Sequence, residues 1–358
     1  MRGLVVRGVG TPPRVEPVEL PATGTGQVRV AVRAAGVCHS DLSMVDGTIA
    51  APYPLLLGHE AAGVVVEVGD DVDRIAVGDH VVLDWAPPCR VCWYCGHGEP
   101  WLCERSGTPA ATVGHTIDGE PLHVTLGLGA LAEQVVVPQQ AVVTVPPDLP
   151  FPTAALLGCA VLTGVGAIRR TADVRPGDSV AVIGLGGVGL SAVAAARAAG
   201  AATVIAVDVA PAKAELAYAA GATDFLLADD TLSRAVRSLT DGRGVDHAVE
   251  CVGRATTIRA AWRATRRGGQ VIVVGMGGKD DMVALSALEI FHSARTLRSS
   301  VYGSSDPDRD VPELARAVLD GTLDLDFLVT DRITLDEAPE ALARMARGEG
   351  ARTVVLFD

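Results

Sequence analysis

From residue 1 to about 150, short runs rich in β-branched residues alternate with turns of Gly, Pro and Asp. The segments QVRVAVRAAG, AAGVVVEVG, GDHVVLDW and ALAEQVVVP predict short strands of a small all-β domain. Near residue 178 the rhythm changes. SVAVIGL predicts a short apolar strand, and GVGLSAVAAARAAG a helix closed by Gly200. ATVIAVDV predicts another strand, PAKAELAYAAG a helix with proline in its first turn, and TDFLLA a further strand. The unit then repeats, with a helix near 231–239, strand VDHAVECVG, helix 255–266, strand GQVIVVG and a last strand near LRSSVYG. Strands alternating with helices imply right-handed crossovers and a parallel sheet, hence the α/β class. The tail, with helices near 308–320 and 335–347 and a final strand RTVVLFD, stands outside this repeat. It is expected to fold back on the first domain.

Composition narrows the function classes. A chain of 358 residues is long enough for two domains with separate cores. A formal charge of −13, with no Lys/Arg block, argues against a nucleic-acid partner. The start, MRGLVVRGVGTPPRVE, lacks the long apolar core and small-residue cleavage site of a signal peptide. The uncharged run from Ser179 to Ala196 has the length of a membrane helix but contains the glycines of GLGGVG, so no membrane span is expected. The chain therefore reads as cytoplasmic, where thiols stay reduced.

IGLGGVG places Gly184, Gly186 and Gly189 as G-x-G-x-x-G between a strand and a helix, with Gly187 inside the same turn. The three motif glycines suit a tight turn, close approach to a pyrophosphate, and close helix–strand packing. Exposed amides at a helix start favour phosphate charge. Asp208 ends the next strand, where a carboxylate accepts the adenosine ribose hydroxyls and repels a 2′-phosphate, favouring NAD over NADP. The bland alternative is a helix-capping aspartate.

Four of the seven cysteines, Cys89, Cys92, Cys95 and Cys103, fall in CRVCWYCGHGEPWLC with the spacing C-x2-C-x2-C-x7-C. In a reducing compartment this spacing fits a closed, structural zinc site of four thiolates, with a redox pair or chance clustering as the alternatives. GVCHSDL and LLLGHEAAG add Cys38 and His59, ligand types for a catalytic zinc, which needs three protein ligands and an open position. Cys159 in LLGCAVLTG can supply the third, and Asp41 or Glu60 can orient His59 or approach the metal directly. Cys251 reads as a small hydrophobe. His80, His97, His115, His123, His247 and His292 carry no assignment.

Taken together and in order, GVCHSD, GHE, the four-cysteine lobe, GCAVLTG, GLGGVG and ARTVVLF resemble the zinc-containing medium-chain alcohol dehydrogenases over nearly the whole chain. The resemblance implies a β-rich, GroES-like catalytic domain (1–159 and 302–358) and a Rossmann NAD-binding domain with a doubly wound parallel sheet (160–301), the active site lying in the cleft between them. It implies two zinc ions per chain and NAD. Cys38, His59 and Cys159 match the catalytic zinc ligands, Asp41 the partner of the ligand histidine, and Glu60 the nearby carboxylate. Cys89, Cys92, Cys95 and Cys103 match the structural zinc ligands. Ser40 matches the hydroxyl that passes the substrate proton. Thr163 and Val188 match nicotinamide contacts, Asp208 and Lys213 the adenosine ribose contacts, and Arg352 a pyrophosphate contact. His39 stands where many members place Arg against the pyrophosphate.

Two features set this chain apart within the resemblance. Ser43 occupies the position where several members end their proton relay on histidine, which leaves the last link to solvent to water. Segment 107–128 resembles the longer loop of the animal-type and thiol-dependent formaldehyde dehydrogenase branches, whose implied oligomer is a dimer. Trp85, Ile49, Leu131 and Val301 are expected to line the substrate pocket, with Trp85 favouring primary alcohols or slim aldehydes. The implied activity is hydride transfer between such a small molecule and NAD(H). The alternatives are oxidation of a formaldehyde adduct of mycothiol or glutathione, and, in another class, a dinucleotide-binding protein without turnover.

Overall fold

The computed structural model describes residues 1–106 and 113–358; residues 107–112 of the 107–128 segment lie outside them. Two compact units divide the chain. Met1–Cys159, Asp306–Asp320 and Val329–Asp358 form one, and Ala160–Ser305 with Gly321–Leu328 forms the other.

The first unit is built on period-two strands. In Gln27–Gly36, Val28, Val30 and Val32 are buried while Gln27, Arg29, Ala31 and Arg33 are partly exposed, so one face enters the core. That strand is the hub of a seven-stranded sheet. In spatial order the sheet runs Val142–Thr144, His80–Leu83, Ala61–Val68, Gln27–Gly36, Arg352–Leu356 and Val329–Ile333, with Gln134–Pro138 also pairing to the hub. The chain's tail thus enters this sheet, Val354 opposite Gly36 and Leu356 opposite Ala34. Val30, Val65, Val81, Leu83, Val135, Val137 and Val355 pack together beneath it. Each such fully buried aliphatic side chain contributes about 1.5–3 kcal/mol. A smaller five-stranded sheet runs His115–Thr116, Arg14–Glu19, Arg2–Val6, Leu55–Leu56 and His123–Val124.

The second unit is a six-stranded sheet in the order Asp224–Leu227, Thr203–Asp208, Ser179–Ile183, Val245–Glu250, Thr265–Val273, Thr296–Ser299. Every pairing in it is parallel. Sequence order therefore reverses between Ser179–Ile183 and Val245–Glu250, and ligands of open parallel sheets bind beyond the carboxyl ends of the strands at such a reversal. Val180 to Ile183 are all buried, as expected of a strand covered on both faces. The uncharged 179–196 run splits into the strand Ser179–Ile183 and the helix Gly187–Ala198. Among the described residues no single helix is long and apolar enough to cross a membrane.

The expected strand near LRSSVYG is corrected at its end. It stops at Ser299, because Tyr302, Gly303 and Ser304 take left-handed φ of 49°, 69° and 50°, which no strand accommodates. The helix expected at 335–347 begins with a 3-10 turn, Leu335–Glu337, before Ala338–Ala346. Glu337 accepts from both the amide and the hydroxyl of Thr334 at 2.8 Å, which fixes that start.

Candidate metal centres and dinucleotide turn

Cys38 ends the strand region of the hub and caps the helix His39–Val45. Asp41, in the first turn of that helix, is fully buried and accepts three hydrogen bonds. Its Oδ2 takes the Cys38 amide at 3.2 Å. Its Oδ1 takes the Gly58 amide at 3.0 Å and His59 Nδ1 at 3.2 Å. A carboxylate only accepts, so His59 donates from Nδ1 and its Nε2 is left as the ligand atom. Gly58 makes this possible. Its φ is +101°, and a Cβ there would run into the backbone of Leu131.

Cys159 follows the helix Phe151–Leu157, and its Sγ lies 3.4 Å from His59 Nε2. The ligand atoms of Cys38, His59 and Cys159 all lie within 4.8 Å of one another, and all three residues are buried. Zinc–sulfur and zinc–nitrogen bonds of about 2.3 and 2.05 Å at tetrahedral angles put sulfur and nitrogen about 3.6 Å apart, so this donor set fits zinc. The Cys159 thiol bonds to Cys38 and holds its pKa well below the ordinary thiol range, with Arg352 and His59 adding to the effect against burial. Burial works against charge on His59, but Asp41 and Cys38 outweigh it and raise its pKa.

Glu60 and Arg352 close the wall of this centre. Glu60 is fully buried and Arg352 is 4% exposed, with Nε 3.3 Å from Glu60 Oε2 and Nη1 donating to the Val37 carbonyl at 3.0 Å. Gly36 leaves the room, since a Cβ there would meet the Glu60 carboxylate. Burial opposes the charge on Arg352, but Glu60, Cys38 and Cys159 more than offset it. The arginine is therefore placed beside the thiols. Ser40 is half-buried, its Oγ 4.0 Å from Cys38 Sγ. His39 is exposed, and its Nδ1 lies 3.4 Å from Ser43 Oγ, one helical turn on.

The four-cysteine lobe forms a second donor set, the Sγ atoms of Cys89, Cys92, Cys95 and Cys103 lying within 4.8 Å of one another. Cys92 and Cys103 Sγ are 3.9 Å apart, close to the edge of about 3.8 Å in a tetrahedral zinc–thiolate cage. Backbone amides point at the sulfurs: Cys89 N and Arg105 N to Cys103 Sγ at 3.2 and 3.4 Å, Cys92 N to Cys89 Sγ at 3.3 Å. The amides of Cys95 and Glu104 pull the Cys92 thiol down to about 6. Arg90, left-handed at φ 61°, anchors the lobe by bonds of 2.6–2.8 Å to Asp306 and Asp308.

In the parallel unit, Gly184 turns the chain at φ +92°, and a Cβ on Gly189 would collide with the Gly184 carbonyl, so the helix sits directly on the turn. Gly186 differs. It is exposed, and an added Cβ meets nothing within 4 Å. The protein itself leaves that space open, as a pyrophosphate cradle requires. Gly187 is buried and Val188 half-buried in the first helical turn. Asp208 is half-buried, Oδ2 accepting the Leu185 amide at 2.7 Å and Oδ1 the Ala210 amide at 3.0 Å. Lys213 is 8% exposed, and burial lowers its pKa against the pull of Asp208. Thr163 is half-buried in the helix Ala160–Gly166.

The pocket residues separate. Trp85 and Ile49 are partly buried against the core of the metal-bearing unit. Leu131 is corrected: at 0% exposure it is a core residue packed under Gly58, and its side chain cannot form a solvent-reached wall. Val301 belongs to the parallel unit and is 44% exposed. Of the unassigned residues, His247 pairs with Asp178 at 3.1 Å, and burial pushes the Cys251 thiol up. The Glu60–Arg352 pair and the fully buried Glu250 were not anticipated. Glu250 carries only a weak sequence signal, an acid at the end of an otherwise mostly apolar strand, three residues before a glycine.

A β-rich unit with two thiol-rich donor sets, and a doubly wound parallel sheet with an open glycine turn, define a zinc-binding dehydrogenase. Residues 24–147 match the alcohol dehydrogenase GroES-like domain, and residues 187–320 match the zinc-binding dehydrogenase domain. The S-(hydroxymethyl)glutathione dehydrogenase of Escherichia coli O1:K1 / APEC is 34% identical over 367 residues, covering 99% of each chain. The crystal structure of an alcohol dehydrogenase zinc-binding domain protein from Burkholderia ambifaria has TM-score 0.93 and 33% identity, over 100% of this chain and 98% of that one. Benzyl alcohol dehydrogenase from Acinetobacter calcoaceticus has TM-score 0.92 and 28% identity, over 100% and 99%. The chain belongs to the zinc-containing medium-chain alcohol dehydrogenase family.

Proposed function

We propose that this enzyme transfers a hydride between a primary alcohol or its aldehyde and NAD(H), with one zinc at Cys38, His59 and Cys159 and another at Cys89, Cys92, Cys95 and Cys103. The observation that carries the reading is the buried set of two thiols and one imidazole, a donor set that leaves a tetrahedral ion one open position. When bound there, zinc supplies Lewis acidity toward a substrate oxygen, and the nicotinamide supplies the hydride acceptor. The chain's own residues do the rest. Asp41 holds His59 in the tautomer that presents Nε2. Ser40, beside Cys38, takes the substrate's hydroxyl proton as it hands its own on to water. Glu60 and Arg352 stay paired and keep the wall of the centre dry. Asp208 sets the preference for NAD, since its carboxylate repels a 2′-phosphate. Lys213 joins it at the ribose, Gly184 to Gly189 receive the pyrophosphate, and Thr163 and Val188 contact the nicotinamide. Trp85 and Ile49 bound the substrate.

A homodimer is the assembly we infer. The edge strand Thr296–Ser299 is exposed at all four positions, and Leu297 within it and Leu288 and Phe291 in the helix just before it expose apolar surface, as an edge covered by a second copy would. All seven cysteines are free, which supports a reducing compartment, the cytoplasm.

A second reading is favoured by the name of the Escherichia coli relative: oxidation of a thiol–formaldehyde adduct. NADH absorbance with primary alcohols, aldehydes, and formaldehyde with and without glutathione or mycothiol separates the two. Turnover of simple primary alcohols is expected, together with about two zinc ions per chain. Formaldehyde turnover that depends strictly on added thiol would select the second reading. No turnover with any of them, at one zinc per chain, would overturn both.

A further inference from the structure

The mechanism above does not use Glu250, the last residue of the strand Val245–Glu250, although it is fully buried. In register it lies between Ile183 and Val273, so it stands at the carboxyl end of the sheet where strand order reverses. Its Oε1 accepts three hydrogen bonds, from the Val252 amide at 2.8 Å, the Gly253 amide at 2.9 Å and Thr257 Oγ1 at 2.8 Å. Oε2 is buried and has no donor among the described residues. All the bonding of this side chain is thus spent on one oxygen and one turn.

That turn lies against the glycine motif. The Cys251 amide donates to the Ile183 carbonyl at 2.8 Å, and Val252 Cγ2 occupies the place a Cβ on Gly184 would take. On its other side, Gly253, at φ +82°, interlocks with Gly275 and Gly277; a Cβ on any of the three would strike the backbone of the other segment. The Glu250 carbonyl accepts from Val274 and Gly275 at 2.8 and 3.0 Å, tying in this second turn. Two glycine turns with little room for error therefore hang on one residue beside the open cradle at Gly186.

We propose that Glu250 is a positioning residue for the dinucleotide, holding Val252 and Gly253 in the one conformation that walls the glycine-rich turn. This rests on reading that turn as the dinucleotide site. What matters is acceptor geometry at Oε1, with charge secondary. Glutamine offers the same oxygen and loses no bond at the Oε2 position. Aspartate keeps the charge but withdraws the oxygen from both amides.

The test is NADH binding by the zinc-loaded enzyme, followed by fluorescence titration, with steady-state kinetics alongside. Glu250→Asp and Glu250→Ala should weaken NADH about 10- to 100-fold, the loss expected for one or two hydrogen bonds to a charged acceptor. Glu250→Gln should stay within about threefold of wild type. The Michaelis constant for NAD should rise with the dissociation constant, while kcat at saturating NAD holds within about twofold, as expected when only ground-state binding is lost. Asp246→Asn, at the opposite end of the same strand, controls for simple destabilisation: it should lower the melting temperature and leave NADH affinity unchanged. If Glu250→Asp binds NADH like wild type, or no more weakly than Asp246→Asn, the positioning role is refuted. If wild type binds neither NADH nor NADPH, the proposed function falls, and this inference with it.

Discussion

Asp41→Asn tests how much of the buried metal centre depends on one carboxylate. Asp41 serves three donors at 0% exposure: the Cys38 amide on one oxygen, the Gly58 amide and His59 Nδ1 on the other. A carboxamide of the same shape has a single acceptor oxygen. Turned to keep Gly58 and His59, its NH2 faces the Cys38 amide, donor against donor. Turned the other way, it faces two donors and drives His59 toward the tautomer that protonates Nε2. The better orientation still leaves one buried amide unsatisfied, at about 1–3 kcal/mol. Partners of a ligating histidine are worth about 10- to 100-fold in metal affinity, or about 1.4–2.8 kcal/mol, so the two estimates agree. The assay is chelator competition on the zinc-loaded protein, reading zinc per chain against chelator concentration. Wild type should lose its zinc at higher chelator than the variant. The variant should pass through a plateau at about one zinc per chain, because the four-cysteine lobe does not touch Asp41. If both proteins release zinc along one curve, Asp41 does not support the centre through His59.

Cys103→Ser should remove the lobe's zinc alone, leaving one per chain and a loop from 89 to 105 that protease cuts faster; unchanged zinc content would refute the cage. Gly186→Val should fold with a wild-type melting temperature yet lose NADH binding, since no protein atom occupies that space. Gly189→Ala should instead lower the melting temperature, because its Cβ strikes the Gly184 carbonyl; equal behaviour of the two would contradict the glycine roles. Burial alone would raise the Asp246 pKa, but the hydroxyl and amide of Ser179 and the Arg266 guanidinium bring it down from 3.8 to about 2. A depressed folded pKa contributes stability above pH 3.8 that is lost as pH falls toward 2, about 1 kcal/mol after allowance for solvent screening. Acid titration of unfolding should lack that increment in Asp246→Asn.

Much of this molecule was legible before its structure because the signals are local. The strand-and-helix rhythm after residue 178 and the cysteine spacing of the lobe each sit within one short window. The Cys38–His59–Cys159 set is not local: residue types alone offer these three as candidates among other cysteines and histidines, and the resemblance singles them out across three separate segments. Leu131 was misread because a leucine's place in core or pocket depends on what lies over it, here the tight Gly58 turn. The end of the last parallel strand was missed because Tyr302 and Ser304 adopt left-handed backbone that their side chains do not announce. Glu250 depends on register: its meaning comes from standing level with Ile183 on the neighbouring strand.

The two donor sets stabilise thiolates by different physics, and this explains why only one of them recruits a buried arginine. In the lobe, where Cys89, Cys92 and Cys95 are partly exposed and only Cys103 is buried, backbone amides point at the sulfurs, and their partial charges suffice beside water of high dielectric. Cys38, His59 and Cys159 are all buried, and Asp41 and Glu60 beside them are at 0% exposure. With both thiols ionised, as metal binding requires, two thiolates and two carboxylates in so dry a place repel one another strongly, and an unpaired buried charge is destabilising by several kcal/mol. Arg352 offsets one of the four charges, and a divalent cation offsets two more, bringing the centre within one charge of neutrality. Without this arginine Glu60 would lose the guanidinium that stands 3.3 Å from its Oε2. The buried guanidinium is thus part of the condition under which a metal can occupy this site with an open position for substrate.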